Sequence, residues 1–518
     1  MLTTTKLRSF LVALFLVLFA TATIALAQAR TTILGLRAVY ITVKARAKPE
    51  GELKRQIEAL DAELARAFEL GRSGEIRRLY AKGTALLTGK QWNAEAEFAA
   101  SLALRSERVF VDPAQPVSLR LEQIYAPAIE LSALPTLRVS LYAAKLSPGA
   151  GQAVVGDKLR DAGNYSQVGR DLIDEPFRFD LNLADVADGL LVIRAEALDG
   201  ERSLGMADLM VDVRRGLYER LRKLEADWGR VKGSDTLKAE VLYPADYIRK
   251  VNDGQIAIGR FDAAHEIALA EKMLTEAVAG KNPFAGRTGD FKRHYAFQEA
   301  GEIMPYRLYV PKGYKAERAY PLIINLHGIG GTEDGAFYGE LPRLAEERGY
   351  IMVAPLGYRR DGGYGNYSSQ PGAQLRMEER RKRELSEKDV LNVLELMKQA
   401  YRIDEQRIYL MGHSMGAGGT WYLGPRYPQI WAALGPIAGR GEPETLQRIR
   451  HIPQFVIHGD ADPTNPVEFS RAMVAEMKRL GIEHRYIEVA GGEHGGIAIP
   501  YFRAIFDFFD SHRKAPVK

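Results

Sequence analysis

A chain of 518 residues exceeds one ordinary domain of about 100 to 200 residues, so two or three domains are expected. Its 46% hydrophobic and 26% charged residues exclude a collagen-like, largely disordered or polytopic membrane protein. The formal charge of +5 falls to about +3 once Lys6 and Arg8 are set aside as part of a leader, and the basic residues are scattered among 66 acidic ones, so no nucleic-acid partner is expected.

Lys6 and Arg8 precede an apolar run from Phe10 to Ala20, followed by the small-residue sequence Ala27-Gln28-Ala29. This is the pattern of a secretory signal peptide over 1–29. The competing reading is an uncleaved anchor, because weakly apolar residues carry the run to Ala27, about the 18 residues that span a bilayer. A membrane enters as a partner only in that case. The chain has no cysteine, which excludes a disulfide framework and a lipidated N-terminal cysteine. A periplasmic or secreted location is expected.

A helical region is expected over 30–105. Leu53, Ile57, Leu60, Leu64 and Phe68 recur at helical spacing, and a second helical stretch runs from about Glu75 to Leu104. Over 106–215 the pattern changes to short β-rich runs, among them Val117 to Ile124, Leu137 to Tyr142, Phe177 to Leu183 and Leu190 to Ala197. About 100 residues of this kind suggest a small β-sandwich-like domain. A helical linker is expected over 216–288, ending near Asn282-Pro283 and Gly286.

From 289 to 518 strands and helices alternate. Strands are expected at Pro305 to Val310, Pro321 to Asn325, Tyr350 to Ala354, Arg407 to Met411, Trp431 to Ile437, Gln454 to Ile457 and Arg485 to Val489. Ser386 and Asp389 are expected to open a helix whose apolar face is Val390, Val393, Leu394 and Met397. The alternation predicts an α/β domain with a mainly parallel sheet covered on both sides, its chemistry beyond the carboxyl ends of the strands.

Gly412-His413-Ser414-Met415-Gly416 follows one predicted strand and opens a helix. A sharp strand-to-helix turn of this kind holds a serine in a strained conformation and leaves no room for side chains two positions away. Such a serine needs a base and an acid, found in this architecture in the chain order Ser, Asp or Glu, His. Of the histidines after Ser414, His451 and His458 precede the acid, His484 enters a strand at its far end, and His512 lies in the terminal helix. His494 remains, in a glycine-rich loop past a strand end. Asp462, after the strand Gln454 to Ile457, is the expected acid, with Asp460 the alternative in the same loop. The loop Leu326-His327-Gly328-Ile329-Gly330-Gly331 follows an apolar strand, and backbone donors for an oxyanion are expected from Ile329 and Met415. His327 is expected to be structural. Tyr364, Tyr367 and Arg440 lie after strand ends and are expected to touch substrate, alongside Tyr358, Arg359 and Arg360 in the same loop as the tyrosines. No HExxH helix, Walker loop or dinucleotide fingerprint occurs, and neither metal nor cofactor is expected.

These motifs, with Tyr306-Arg307-Leu308-Tyr309-Val310-Pro311 and Asp404-Glu405-Gln406-Arg407-Ile408, make the stretch from about Tyr295 to His512 resemble the α/β-hydrolase superfamily. Within it the stretch is similar to secreted bacterial esterases of the feruloyl esterase and polyhydroxybutyrate depolymerase-like group, and to predicted peptidases and prolyl-oligopeptidase relatives. The resemblance covers less than half the chain. It implies Ser414 as nucleophile, Asp462 as acid, His494 as base, and Ile329 with Met415 as oxyanion donors. One departure is Asn465-Pro466-Val467, where members often carry Val-Pro shortly after the acid. The implied activity is hydrolysis of a small-molecule or polymer-linked carboxylic ester through an acyl-enzyme. A serine peptidase and a non-catalytic binding protein on the same scaffold are the alternatives; the first would usually need a propeller to screen peptides, larger than about 100 residues of sandwich.

Overall fold

The computed structural model describes residues 32–127, 134–146, 153–169, 171–231, 235–256, 261–366 and 377–514. The expected leader and Tyr367 lie outside them. Among the described residues no helix is long and apolar enough to cross a membrane. The chain forms two compact units, Met1–Lys223 with Tyr247–Ala268, and Leu224–Asp246 with Leu269–Lys518.

The first unit begins with helices α1 (Ile33–Ala47), α2 (Gly51–Glu69) and α3 (Ser73–Leu87). Ile57, Leu60, Leu64 and Ala67 of α2 are buried against Tyr40, Leu79 and Tyr80. Phe68, expected on that face, is 46% exposed, because the stripe follows the three-then-four spacing to Ala67. The expected second helix is broken. After α3, Asn93 caps a short helix α4 (Ala94–Ser101) by accepting the Ala96 amide, and the chain then enters strand β1 (Leu102–Ser106). The β-rich region therefore starts at 102, not 106.

Seven further strands follow: β2 (Phe110–Val111), β3 (Val117–Gln123), β4 (Thr136–Leu146), β5 (Ala153–Tyr165), β6 (Phe177–Leu181), β7 (Gly189–Asp199) and β8 (Arg202–Val213). They form a three-stranded sheet β1-β3-β6 and a five-stranded sheet β2-β8-β7-β4-β5. One apolar core holds Leu119, Leu121 and Leu181 from the first with Val139, Leu141, Ile193 and Val211 from the second. Two sheets sharing one core make a sandwich.

Helices α5 (Leu217–Trp228), α6 (Asp235–Asn252) and α7 (Ala263–Val278) occupy the stretch expected as a linker, which is divided between the two units. Their buried Leu217, Leu221, Val241, Ile248 and Ile267 must be covered, which a free linker cannot do.

The second unit is built on an eight-stranded sheet. Its strands are β9 (Gly289–Phe297), β10 (Glu302–Val310), β11 (Tyr320–Leu326), β12 (Ile351–Pro355), β13 (Ile403–His413), β14 (Ala433–Ile437), β15 (Gln454–Gly459) and β16 (His484–Val489). The order across the sheet is β16-β15-β14-β13-β11-β12-β10-β9. β10 is antiparallel to both neighbours and every other pairing is parallel. Fully buried β11, β12 and β14 read as near-continuous apolar runs, as a sheet covered on both faces requires. Helices α8 (Leu341–Arg348), α9 (Met377–Ala400), α10 (Met415–Arg426), α11 (Glu468–Leu480) and α12 (Phe502–Asp510) complete the unit. Phe502, Phe506 and Phe509 of α12 and Leu344 of α8 share a core with Ile323, Met352, Tyr409 and Met411 of the sheet. This is the α/β-hydrolase arrangement.

Helix α9 starts well before the expected position. Ser386 and Asp389 lie in its interior with no exposed surface, so neither is a cap. Their polar atoms bind the loop after β12 and, for Asp389, the Tyr295 hydroxyl of β9 instead.

Candidate active site

Ser414 stands between β13 and α10 with φ 59° and ψ −115°, a left-handed backbone that non-glycine residues rarely adopt. The strain is held from two sides. The Ser414 amide donates to Ile437 O at 2.9 Å on the adjacent strand, and its carbonyl accepts the Gly418 amide at 3.1 Å as the helix begins. The glycines two positions away are forced by close approach. A Cβ at Gly412 would lie 2.5 Å from Gly416 O, and one at Gly416 would lie 2.2 Å from Leu326 O, both backbone atoms that cannot step aside.

His494 and Asp462 reach the serine from the loops after β16 and β15. The Ser414 hydroxyl donates to His494 Nε2 at 2.8 Å, and His494 Nδ1–H donates to Asp462 Oδ2 at 2.6 Å. The other carboxylate oxygen of Asp462 accepts the amides of Thr464 (2.8 Å) and Asn465 (2.9 Å). His458 closes the set. Ser470 Oγ donates to its Nδ1 at 2.6 Å, leaving Nε2–H to face Asn465 O at 2.9 Å, with Asp462 Oδ2 at 3.3 Å. Burial alone would raise the Asp462 carboxyl, but His458, His494 and the Asn465 amide outweigh it and hold the group well below the usual carboxylate range. Asp462 therefore stays charged, and the Asp462 side chain is fully buried while that of His494 keeps 21% of its surface.

Asp460 points elsewhere and accepts the Gly491 amide at 2.7 Å. The His494 loop has a second tie that the sequence did not suggest. His413, the residue before the serine, donates from Nε2 to the His494 carbonyl at 2.7 Å, and burial pushes its own pKa down. A polar residue closing the apolar run from Ile408 to Met411 was the available signal.

The His327–Gly331 loop lies against Ser414. A Cβ at Gly328 would come 3.4 Å from Ser414 Cβ. Among the described residues the amides of Ile329 and Met415 donate to no backbone carbonyl, and Ile329 is 57% exposed. The loop is fixed from behind. The His327 ring lies between two carbonyls, Nδ1 2.8 Å from Gly328 O and Nε2 2.7 Å from Leu356 O. Gly330 donates to Arg360 O at 2.8 Å, while Arg360 Nε returns a bond to Gly330 O at 2.8 Å.

The residues after β12 are thus supports. Tyr364, expected to touch substrate, has no exposed surface; its hydroxyl points at His327 O at 3.4 Å, and its amide donates to Ser386 Oγ at 2.9 Å. It is unavailable to a ligand because Gly357 and Gly419 leave space that its ring fills. Asp389 Oδ2 accepts the amides of Gly357 (2.6 Å) and Tyr358 (3.0 Å), and Oδ1 accepts the Tyr295 hydroxyl at 2.5 Å. Burial raises the Asp389 carboxyl to about 6 despite these three donors. Arg359 is paired with Glu302 at 2.7 Å. Arg440 is half-buried after β14, without an ion pair among the described residues, and its guanidinium lies 4.7 Å from the Phe469 ring.

Comparison with known proteins finds esterases similar to part of this chain. Residues 298–451 match the family described as putative esterase. A putative esterase from Nocardia uniformis subsp. tsuyamanensis is 27% identical over 191 residues, 36% of this chain and 52% of that protein. A bifunctional acetylxylan esterase/xylanase from Neocallimastix patriciarum is 26% identical over 176 residues, 33% of this chain and 23% of that one. Cutinase 2 of Thermobifida cellulosilytica is 32% identical over 99 residues, 19% and 37% of the two chains. The chain spans about half or less of the length of these curated relatives. Among solved structures, a thermostable esterase overlaps 80% of this chain and 100% of its own at 18% identity and a TM-score of 0.38. A ferulic acid esterase from Anaeromyces mucronatus overlaps 43% and 90% at 20% identity and a TM-score of 0.36.

Proposed function

We propose that this protein is a serine hydrolase of carboxylic esters, acting through an acyl-enzyme on Ser414. The observation that carries the reading is the unbroken relay from Ser414 Oγ to His494 Nε2 (2.8 Å) and from His494 Nδ1 to Asp462 (2.6 Å). His494 takes the hydroxyl proton as Oγ attacks the ester carbonyl, and Asp462 stabilises the imidazolium that forms. The amides of Ile329 and Met415 receive the negative oxygen; a donor of this kind is worth about 2.7–4 kcal/mol in the transition state. His494 then gives its proton to the departing alkoxide. Water, deprotonated by the same nitrogen, attacks the acyl-enzyme, and the acid leaves as Ser414 regains its proton.

The matches to the putative esterase family and to esterase and cutinase relatives support an ester rather than an amide. The leader-like start of the sequence supports export to the periplasm or beyond. Labelling with a fluorophosphonate, with a panel of nitrophenyl esters beside peptide nitroanilides, tests the reading. Wild-type protein is expected to be labelled and to cleave esters far faster than anilides, and Ser414→Ala to do neither while remaining folded. Ester turnover by Ser414→Ala within tenfold of wild type would refute the nucleophile, and faster anilide cleavage would refute the substrate class.

A further inference from the structure

Segment 439–441 is a wedge of backbone carrying one side chain. A Cβ at Gly439 would lie 2.3 Å from Ala417 Cβ, and one at Gly441 would lie 2.7 Å from Met473 Cε and 2.9 Å from Trp421 Cδ2. The two glycines let the chain press between α10, which carries the nucleophile, and α11, which follows the acid loop. The carbonyl of Arg440 completes the seat, 3.4 Å from where a Cβ on Gly418 would stand. Just upstream, Ala438 adopts φ 52° and its carbonyl accepts Asn465 Nδ2 at 2.8 Å, so the segment is tied to the acid loop as well. Arg440 therefore projects from a fixed frame just past the carboxyl end of β14, the strand whose Ile437 carbonyl holds the Ser414 amide.

The side chain placed there has no counter-charge among the described residues. Other buried or half-buried arginines of this unit are matched: Arg293 with Glu240, Arg307 with Asp290, Arg359 with Glu302, Arg383 with Glu379, Arg407 with Asp404. Arg440 makes no ion pair or hydrogen bond among the described residues, and lies over the Phe469 ring. Of the nearby acids, Glu468 is taken by Arg471, and Glu442 and Glu444 are exposed without reaching it. Contact with an aromatic face steadies a guanidinium while its N–H donors stay available, and that fork of donors can bind a carboxylate in two parallel hydrogen bonds.

We propose that Arg440 recognises a carboxylate carried by the ester substrate, on its acyl or its alcohol half, so that anionic esters are preferred over neutral ones of the same size. This rests on the ester-hydrolase reading, and the test separates the two. Two pairs of substrates are compared by kcat/KM: nitrophenyl hemisuccinate against nitrophenyl butyrate for the acyl half, and 4-acetoxybenzoate against phenyl acetate for the alcohol half. In wild-type protein one pair is expected to favour the anionic member. Arg440→Gln should lower that ratio about tenfold or more, Arg440→Lys should keep part of it, and high salt should weaken the wild-type preference. The pair that responds identifies the half that bears the charge. Fluorophosphonate labelling of each variant reports whether the nucleophile remains assembled. If Arg440→Gln loses labelling, the Arg440→Lys ratio and the wild-type salt dependence decide. Hydrolysis of the neutral esters with no anionic preference in either pair, or a preference that Arg440→Gln and salt leave intact, overturns the proposal but not the ester reading. Failure of wild type on all four esters overturns both.

Discussion

Asp389 is the group on which the geometry behind the His327–Gly331 loop turns, and its environment sets how two substitutions should differ. Asp389→Ala removes the acceptor of two buried amides, Gly357 and Tyr358, each costing about 1–3 kcal/mol when left unsatisfied, so roughly 2–6 kcal/mol is lost. Asp389→Asn is different. Both amides bind the same oxygen, Oδ2, so an asparagine can keep its carbonyl there and turn its NH2 toward the Tyr295 hydroxyl, which can accept. It also removes a carboxylate that burial disfavours: the shift from 3.8 to about 6 corresponds to about 3 kcal/mol against the ionised form. Since the folded pKa is raised, the acid's contribution is complete below about pH 4 and is lost as pH rises through about 6. Relative to wild type, Asp389→Asn should therefore gain stability between those pH values, by up to about 3 kcal/mol. Urea denaturation of both variants and wild type at several pH values measures this, beside kcat on a nitrophenyl ester. Asp389→Asn should keep kcat within about tenfold, while Asp389→Ala should lose considerably more as Leu356 O releases His327. An alanine variant as stable and active as the asparagine one, or a pH-independent difference between Asp389→Asn and wild type, would refute the reasoning.

Three further outcomes are expected. Asp462→Asn should lower kcat by several orders of magnitude, about 10⁴ for the comparable change in a serine protease, whereas Asp460→Asn, which loosens only the Gly491 amide, should cost far less. Because the folded Asp462 carboxyl is depressed, its stabilisation is present above the unfolded pKa of about 3.9 and declines as pH falls below it. The gap in denaturation midpoint between wild type and Asp462→Asn should thus shrink below about pH 4. Gly416→Ala should destabilise by about 1–3 kcal/mol or more and abolish labelling, since its Cβ would meet the Leu326 carbonyl; labelling at the wild-type rate would contradict that contact.

The turn at Ser414 was legible because its demands are local, whereas Asp462 and His494, 32 positions apart, were reached through the chain order Ser, Asp, His. A serine flanked by glycines after an apolar strand announces its turn, because the close approach that needs the glycines lies within a few residues and the neighbouring strand end. The supports were misread for the opposite reason. Ser386 and Asp389 look like helix-opening residues by type, and only the fold reveals that their partners, Tyr364 and Gly357, lie 22 and 32 positions away. Tyr364 looked like a ligand contact because loop tyrosines often are; its ring in fact fills space left by Gly357 and Gly419. In the sandwich, β5 went unseen since its sequence, AVVGDKLRDAGNY, alternates too weakly to mark a buried face, and its pairing with β4 is interrupted by register shifts.

The grip of helix α9 on the loop after β12 runs largely through main-chain amides, those of Gly357, Tyr358 and Tyr364. A lineage can therefore change solvent-facing side chains there while the helix keeps the loop's path. The same division suits laboratory evolution: a library varied at the mouth of the site, with Ser386 and Asp389 held constant, would search substrate preference while leaving the reaction centre in register.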